Sequence, residues 1–92
     1  MPAPAFEAAI RSSNLPWTAR LVALTLSSYA DPTTGQIPTN AMPDVPTLAA
    51  ATGMREVTVR KCLHFLGADG YLGRFTRRKT HTIQYKLLTP GQ

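Results

Sequence analysis

The residues between 55 and 64 combine side-chain types that could read the edges of nucleic-acid bases. Arginine and lysine can donate to O6 and N7 of guanine, glutamate can accept from N4 of cytosine, and valine can contact the methyl group of thymine. Threonine can serve either a base or a phosphate. The candidate residues are Arg55, Glu56, Val57, Thr58, Arg60, Lys61 and His64.

A second basic group follows within twenty residues. It consists of Arg74, Arg77, Arg78, Lys79 and His81, with the triplet 77–79 between two threonines. Adjacent positive charges repel one another, so an anionic partner that neutralises them gains free energy, and its binding would weaken with salt. The alternative is that these charges protect the edge of a strand against aggregation.

The elements that would position the first group are two short helices separated by a glycine. Asp44 is placed to cap a helix that has Pro46 in its first turn and ends at Gly53. A further helix is predicted from about Arg55 to Ala68, with its core stripe at Val59, Cys62, Leu63 and Leu66. Its opposite side carries Val57, Lys61 and His64. This is the layout of a helix-turn-helix.

A longer apolar helix is predicted upstream, from Trp17 to Ala30, with Asn14 as its cap. It is apolar on two stripes, so we expect it to be largely buried and to form the spine of the core. One stripe holds Trp17, Leu21, Leu24 and Ser28, and the other Val22, Leu26 and Tyr29. Residues 1–13, rich in alanine and proline, are expected to form a loose arm or a single helical turn before a domain over 14–90.

Strands are predicted on both sides of the basic triplet. They cover residues 71–76 and 82–88, and in the second strand Ile83, Tyr85 and Leu87 alternate with polar residues. A very short strand over 36–38 could pair with them. Phe65, on a flank of the preceding helix, is expected to pack under this hairpin or against the first helix.

The charge of the chain is unevenly distributed. Residues 1–54 hold two basic and three acidic groups, whereas residues 55–92 hold eight basic groups against Glu56 and Asp69. A basic half joined to a nearly neutral half indicates a surface for a polyanion, most often nucleic acid. A solubilising charged face is the alternative, although such a face normally mixes both signs.

Catalysis is not supported by the side chains present. Cys62 and His64 point to opposite sides of their helix, and Cys62 is expected to be a small core residue. One cysteine and two histidines are too few for a typical metal site, and the glycines form no phosphate loop. We therefore expect no enzyme activity, no metal and no cofactor. The chain also has no run apolar enough to span a membrane and no recognisable leader, so a cytoplasmic location is expected.

From Leu21 to Leu88 the chain resembles the winged helix-turn-helix proteins of bacteria, phages and plasmids. The resemblance lies in six short stretches and in the basic hairpin with its second strand. The stretches are Leu21–Leu24 with Tyr29–Pro32, Pro43–Ala49, Thr52–Met54 with Thr58–Leu63, and Gly70–Leu72. It implies an α+β fold with three main helices and a β-wing of two to three strands.

The resemblance also implies where the side chains would meet DNA. It places the start of the third helix in the major groove, with Arg55, Glu56, Val57, Thr58 and Lys61 nearest the bases and Arg60 near the backbone. One residue departs from the family pattern. Arg55 stands where a serine or threonine usually caps this helix, and we interpret it as placed for a phosphate. Two less specific interpretations stay open: Glu56 as an ordinary first-turn acid, and Arg60 and Lys61 as a solvated face.

The function that these features predict is sequence-specific binding of double-stranded DNA by a transcriptional regulator that acts by occupying its site. Such a protein would be associated with the nucleoid. An accessory or initiator factor for replication, partition or recombination of a plasmid or phage would use the same surface. A protein-interaction module on the same scaffold is an alternative of a different class. A single module reads few bases, so a homodimer or an array on repeated sites is expected.

Overall fold

In the residues that the structure describes, four helices precede a two-stranded antiparallel sheet. The computed structural model describes residues 2–76 and 83–89, with the side chains of 2–4 and 75–76 excluded. The helices are α1 (Pro2–Arg11), α2 (Trp17–Ser27), α3 (Val45–Thr52) and α4 (Glu56–Ala68), with one 3₁₀ turn at Thr39–Ala41, and the strands are β1 (Leu72–Thr76) and β2 (Ile83–Leu87). This is a small α+β fold. It is compatible with a winged-helix layout but not specific to it.

The N-terminal residues form a packed helix, so the expectation of a loose arm or a single turn was wrong. Phe6 and Ile10 of α1 are only 2% and 0% exposed and belong to the main core. The hydroxyl of Ser27 on α2 donates to the carboxylate of Glu7 over 3.4 Å. The described ranges therefore contain four helices where three main ones were expected, and the additional helix, α1, packs apolar side chains against α2.

The helix α2 differs from its prediction in its cap, its end and its burial. Its N-cap is Pro16, not Asn14, because Leu15 is buried and Arg20 donates to the carbonyl oxygens of Ser13 and Leu15, which keeps this segment extended. It ends at Ser27 rather than Ala30. Only one of its two stripes is buried, and Trp17 is 72% exposed.

The core lies between α2, α3 and α4, with α1 closing one side and the sheet another. The predicted stripe of α4 is confirmed, since all four of its members are buried: Val59, Cys62, Leu63 and Leu66. The side chain of Leu48 from α3 is fully buried in the same cluster. Cys62 is thus a core residue, as expected.

Strand β1 pairs with β2 in a register that matches Leu72 with Leu87 and Arg74 with Tyr85. Directly paired residues share a face, so these four side chains lie on one side of the sheet. The expected alternation of β2 is only partly confirmed, because Gln84 is buried and Ile83 is exposed.

The predicted strand over 36–38 is not a strand in the structure. Instead, the side-chain amide of Gln36 bonds to the backbone of Leu87 on β2. Its Nε2 donates to the Leu87 carbonyl oxygen over 3.0 Å, and its Oε1 accepts from the Leu87 N–H over 2.7 Å. A single side chain therefore makes the pair of hydrogen bonds that a neighbouring strand would otherwise make.

Across both described ranges, no helix has the length and apolarity that crossing a lipid bilayer requires.

Candidate nucleic-acid interface

The helix α3, which precedes α4, has a capping residue at each end. Asp44 caps α3, since its Oδ1 accepts from the Thr47 N–H over 2.9 Å. Hydrogen bonding to Thr47, through its side chain first and its backbone N–H second, holds the pKa of Asp44 below its ordinary value. Gly53 ends α3 in the left-handed conformation, at φ +74°, with its N–H bonded to the carbonyl oxygen of Ala49 over 2.9 Å. The connection to α4 is only three residues long. Both predictions about the ends of α3 are confirmed.

The side of α4 turned away from its core stripe is exposed to solvent. At about 100° per residue, Val57, Lys61 and His64 lie opposite Val59, Cys62 and Leu66. All three outer side chains are exposed, and Val57 is 48% exposed. A donor, an imidazole and an apolar group therefore share one accessible helix face.

Arg55 precedes this face as the N-cap residue of α4. Its backbone is extended, with φ −74° and ψ 154°, and its side chain forms no capping hydrogen bond. Within the described residues it has no ion-pair partner either. Its guanidinium is accessible at the helix N-terminus, where the exposed amide groups of the first turn also favour an anion.

Glu56 and Arg60 form an ion pair on the first turns of α4. The Arg60 Nη2 lies 3.2 Å from the Glu56 Oε1, and both side chains are about half exposed or more. Such a surface pair at a spacing of four residues contributes only about 0.3–0.5 kcal/mol, so an anionic ligand could displace it. The pair gives Glu56 a role that requires no base contact.

A groove separates α4 from the sheet. Its volume is about 540 Å³, and its floor is apolar, formed by Leu63 and Leu72 with Tyr85 beside them. Three groups that carry or can carry positive charge line its walls: Arg60, His64 and Arg74. A smaller hollow of about 360 Å³ adjoins it near the start of α3. The groove thus joins the predicted helix surface to the first residue of the predicted hairpin group.

Tyr85 lies at the wall of this groove, directly across the sheet from Arg74. Burial raises the pKa of the Tyr85 phenol, and the positive charge of Arg74 partly opposes that shift. The phenol therefore remains protonated at neutral pH and can donate a hydrogen bond into the groove. Neither Tyr85 nor Ile83 was predicted at the site, because both entered the sequence argument only as apolar members of an alternating strand.

The structure brings some of the sequence-predicted residues together and separates others. Arg60, His64 and Arg74 line one groove, while Val57 and Lys61 lie on the adjoining outer face of α4. Thr58 is half-buried on the flank of α4 away from the groove. Phe65 is 43% exposed, so the expectation that it packs under the hairpin or against the first helix was wrong. The remaining hairpin residues lie outside the described residues: Arg77, Arg78, Lys79 and His81.

No group of three or more histidine, cysteine, aspartate or glutamate side chains that could hold a metal ion occurs in the described part of the chain. The groove offers cations and hydrogen-bond donors. This is chemistry suited to an anion or to base edges.

The comparisons with known proteins gave no match: no protein-family model fits the sequence, and no curated protein and no solved structure is significantly similar to it.

Proposed function

We propose that this chain binds double-stranded DNA in a sequence-specific manner, as a small winged-helix protein with α4 in the major groove. The observation that carries the proposal is the exposed outer face of α4. It presents Lys61 and His64, with Arg55 just before it at the end of the short connection from α3, and the nearest acid, Glu56, is already paired with Arg60.

The hairpin would act as the wing. Arg74 is exposed on β1 beside the groove, and the three adjacent basic residues 77–79 follow it in the sequence. Contacts of this kind go mostly to phosphates, and they position the protein without reading sequence. The groove between α4 and the sheet is lined by residues of both elements, so a sugar-phosphate backbone lying along it would meet Arg60 and Arg74.

In this proposal the protein acts by occupying its site, as a transcriptional regulator, and performs no chemistry. An accessory or initiator factor for replication, partition or recombination would use the same surface and the same contacts. Selecting bound sites from a random duplex pool separates these roles only indirectly. It does, however, yield the recognised sequence and, through the spacing of half-sites, the number of copies bound.

The first test replaces Lys61 with alanine. If Lys61 contacts a base edge, K61A loses about 1–3 kcal/mol on the selected site and much less on unrelated duplexes. Fluorescence anisotropy with both duplexes measures the difference. Arg11→Ala is the matched control, because Arg11 is also an exposed cation, lies on α1 remote in sequence from the interface, and pairs only weakly with Glu7 at 4.0 Å.

The results have distinct meanings. A uniform loss at every sequence would make Lys61 a backbone contact, whereas an R11A loss as large as that of K61A would show that net charge alone drives binding. Wild-type protein that is not retained on any duplex at low salt would exclude DNA as the partner.

The second test concerns the wing and replaces Arg77, Arg78 and Lys79 with alanine together. Each phosphate contact contributes about 0.9 to the slope of log affinity against log salt, so losing all three should make the slope shallower by about 2.7. Affinity should fall on all sequences alike. Unchanged affinity at low salt would show that the wing does not contact DNA.

A protein-interaction module remains the second candidate function, because Val57 and Phe65 are exposed apolar side chains on α4. Such a surface would bind a partner protein with little salt dependence, whereas a phosphate-binding surface depends strongly on salt. The salt series described above therefore discriminates between the two candidates.

A further inference from the structure

The groove between α4 and the sheet has the size and the lining of a small-molecule site. Its volume of about 540 Å³ lies within the roughly 300–1,000 Å³ of pockets that bind small ligands. Leu63 and Leu72 form its floor, and Ile83 on its wall is 38% exposed. Apolar side chains that line a groove in this way gain free energy when an apolar ligand replaces the water against them.

The charged groups around this apolar lining favour a negative ligand. Ten described residues line the groove, and none of them is an acid. Two are exposed arginines, Arg60 on α4 and Arg74 on β1. Arg74 forms no ion pair with any described residue, and Arg60 has only its exposed pair with Glu56 at 3.2 Å. A carboxylate could therefore bind Arg74 without displacing an acidic partner of that side chain.

Two ring side chains lie among these groups and favour an aromatic ligand. Tyr85 is half-buried at the groove wall, directly across the sheet from Arg74. Its hydroxyl can donate to a carboxylate, and its ring can pack against another ring. His64 is exposed on the wall that α4 forms. Guanidinium groups also bind the faces of aromatic rings, which an aliphatic chain does not offer them.

We propose that this groove binds a small aromatic carboxylate. The ring lies over the apolar floor, and Arg74 and the hydroxyl of Tyr85 hold the carboxylate. The carboxylate does not point into the adjoining hollow, because the acid Asp44 lines that hollow. A sugar-phosphate backbone matches only the charges of the groove, since it offers little apolar surface to the floor.

The ligand and DNA would use the same two arginines. The proposed function brings a phosphate backbone to Arg60 and Arg74, so an aromatic carboxylate in the groove would compete with it and weaken duplex binding. This consequence alone rests on the proposed function. Binding of the carboxylate does not require that the chain bind DNA.

Titration of the isotope-labelled chain with 3-phenylpropanoate, followed by NMR without DNA, tests the proposal directly. A probe with so few atoms should bind with a Kd of about 1 mM. The shifts of the backbone amide signals should be largest for α4 from Arg60 onward and for the two strands. The alcohol 3-phenylpropanol keeps the ring without the charge, and acetate keeps the charge without the ring. Each should bind about tenfold more weakly.

Arg74→Gln isolates the contribution of the charge. It should weaken binding of the carboxylate about tenfold and leave binding of the alcohol unchanged, because it replaces a cation with a neutral polar side chain. Lys86→Gln is the matched control, since it removes one positive charge from the same sheet. Lys86 is exposed and pairs with Gly73, so its side chain lies on the opposite face from Arg74. This variant should bind the carboxylate like the wild type.

Four results would overturn the proposal. The first is the absence of shifts in the groove segments at about 10 mM carboxylate, ten times the expected Kd. Equal affinity for the alcohol would show that the arginines do not select the ligand, and equal affinity for acetate would show a general anion site. A loss in Lys86→Gln as large as that in Arg74→Gln would show that net charge alone attracts the probe.

A duplex-binding assay tests the competition separately. With the groove filled at about ten times the Kd, duplex affinity should fall by up to about tenfold. The same concentration of the alcohol, with sodium chloride added to equal ionic strength, should have no such effect. Unchanged duplex affinity would overturn the competition. A protein that binds no duplex at all would contradict the proposed function and leave the NMR result intact.

Discussion

Gln36 shows how one side chain can complete a sheet edge from a distance. Its amide donates to and accepts from the backbone of Leu87, 51 residues later in the chain. An amide is well suited to this position, because it is both a donor and an acceptor in one plane and copies the pattern of a peptide group. This contact fastens the loop after α2 to β2, and so it supports the groove wall formed by the same strand.

We expect Gln36→Glu to destabilise the protein by about 1–3 kcal/mol at neutral pH. The carboxylate loses the donor to the Leu87 carbonyl oxygen and leaves that half-buried oxygen without its hydrogen bond. Chemical denaturation followed by circular dichroism measures the change. Asn40→Asp is the control, since it makes the same amide-to-acid replacement at an exposed residue of the 3₁₀ turn. Equal stability of the two variants would mean that the Gln36 contact contributes nothing.

Asp44 provides an expectation for pH. Its hydrogen bond to Thr47 lowers its pKa in the folded protein below the ordinary value of 3.8. The stabilisation from this cap is therefore fully present above about pH 4, and it is lost as the pH falls through the lower pKa of the folded state. An asparagine side chain at this position would cap the helix without titrating, so in Asp44→Asn the melting temperature should decline less steeply in acid. Identical pH profiles of wild type and variant would contradict this expectation.

The residues whose roles could be predicted from the sequence are those with local partners. Asp44 bonds three residues away and Gly53 four residues away, so the chain near each of them contains the necessary information. Asn14 failed as a cap for the opposite reason. The burial of Leu15 and the reach of Arg20 decided the geometry there, and neither follows from the preference of a single residue for a cap.

At the scale of elements, alanine substitutions at two glycines, one just after α3 and one inside α4, should change the stability of the protein in opposite directions. Gly53 has a φ of +74° and open space around it, so Gly53→Ala introduces backbone strain without a clash and should cost about 1 kcal/mol. Gly67 lies inside α4, where an added Cβ would meet only the Leu72 carbonyl oxygen at 4.0 Å. Gly67→Ala should therefore stabilise α4 by about 0.5–1 kcal/mol.

Thermal and urea unfolding of the two variants beside the wild type test this pair. Each variant serves as the control for the other, because both add one methyl group and differ in backbone conformation. A destabilised Gly67→Ala would show that α4 and β1 are packed more closely than 4.0 Å implies. Because Gly67 also lines the groove, a duplex-binding assay on the same variant reports whether the groove takes part in binding.

The helices α2, α3 and α4 and the two strands could be predicted from the sequence, but the burial of their faces could be predicted only in part. Apolar spacing identified α2 and α4 and marked the buried stripe of α4 correctly, whereas α3 was predicted from the residues at its ends, Asp44 and Gly53. For α2 it marked two stripes, and only the neighbours that pack against a helix determine which stripe they cover. A domain of this size has too few elements to surround a helix, since small folds bury a smaller share of their surface.

The candidate site could likewise be predicted only in part. The exposed cations of α4 could be assigned from the sequence, because a charged side chain opposite a core stripe points into solvent. The groove could not be predicted, because it depends on how far apart α4 and the sheet lie. Its walls include Tyr85 and Ile83, whose alternation alone would place them in the core.

Considered as a whole molecule, the chain separates its structural tasks between its two halves. Among the described residues, those up to residue 54 supply most of the core side chains and carry few charges, and those from residue 55 onward contribute the exposed cations of α4 and the sheet. Helix α1 belongs to the N-terminal half. Without it, α2 would lose the apolar side chains of Phe6 and Ile10 from the shared core, so α1 should unfold together with the rest of the molecule.

Ile10→Ala tests this cooperativity. Ile10 is fully buried, and truncating such a side chain costs about 2–5 kcal/mol because it removes apolar burial and leaves a cavity. The whole protein should then melt at a lower temperature in a single transition, with the fluorescence of Trp17 and the helical circular dichroism signal changing together. Leu21→Ala, at low protein concentration, is the control and should cost less than about 1 kcal/mol, because an exposed leucine leaves no cavity. If Ile10→Ala instead lowered the helical signal early and left the main transition at the wild-type temperature, α1 would be an independent arm.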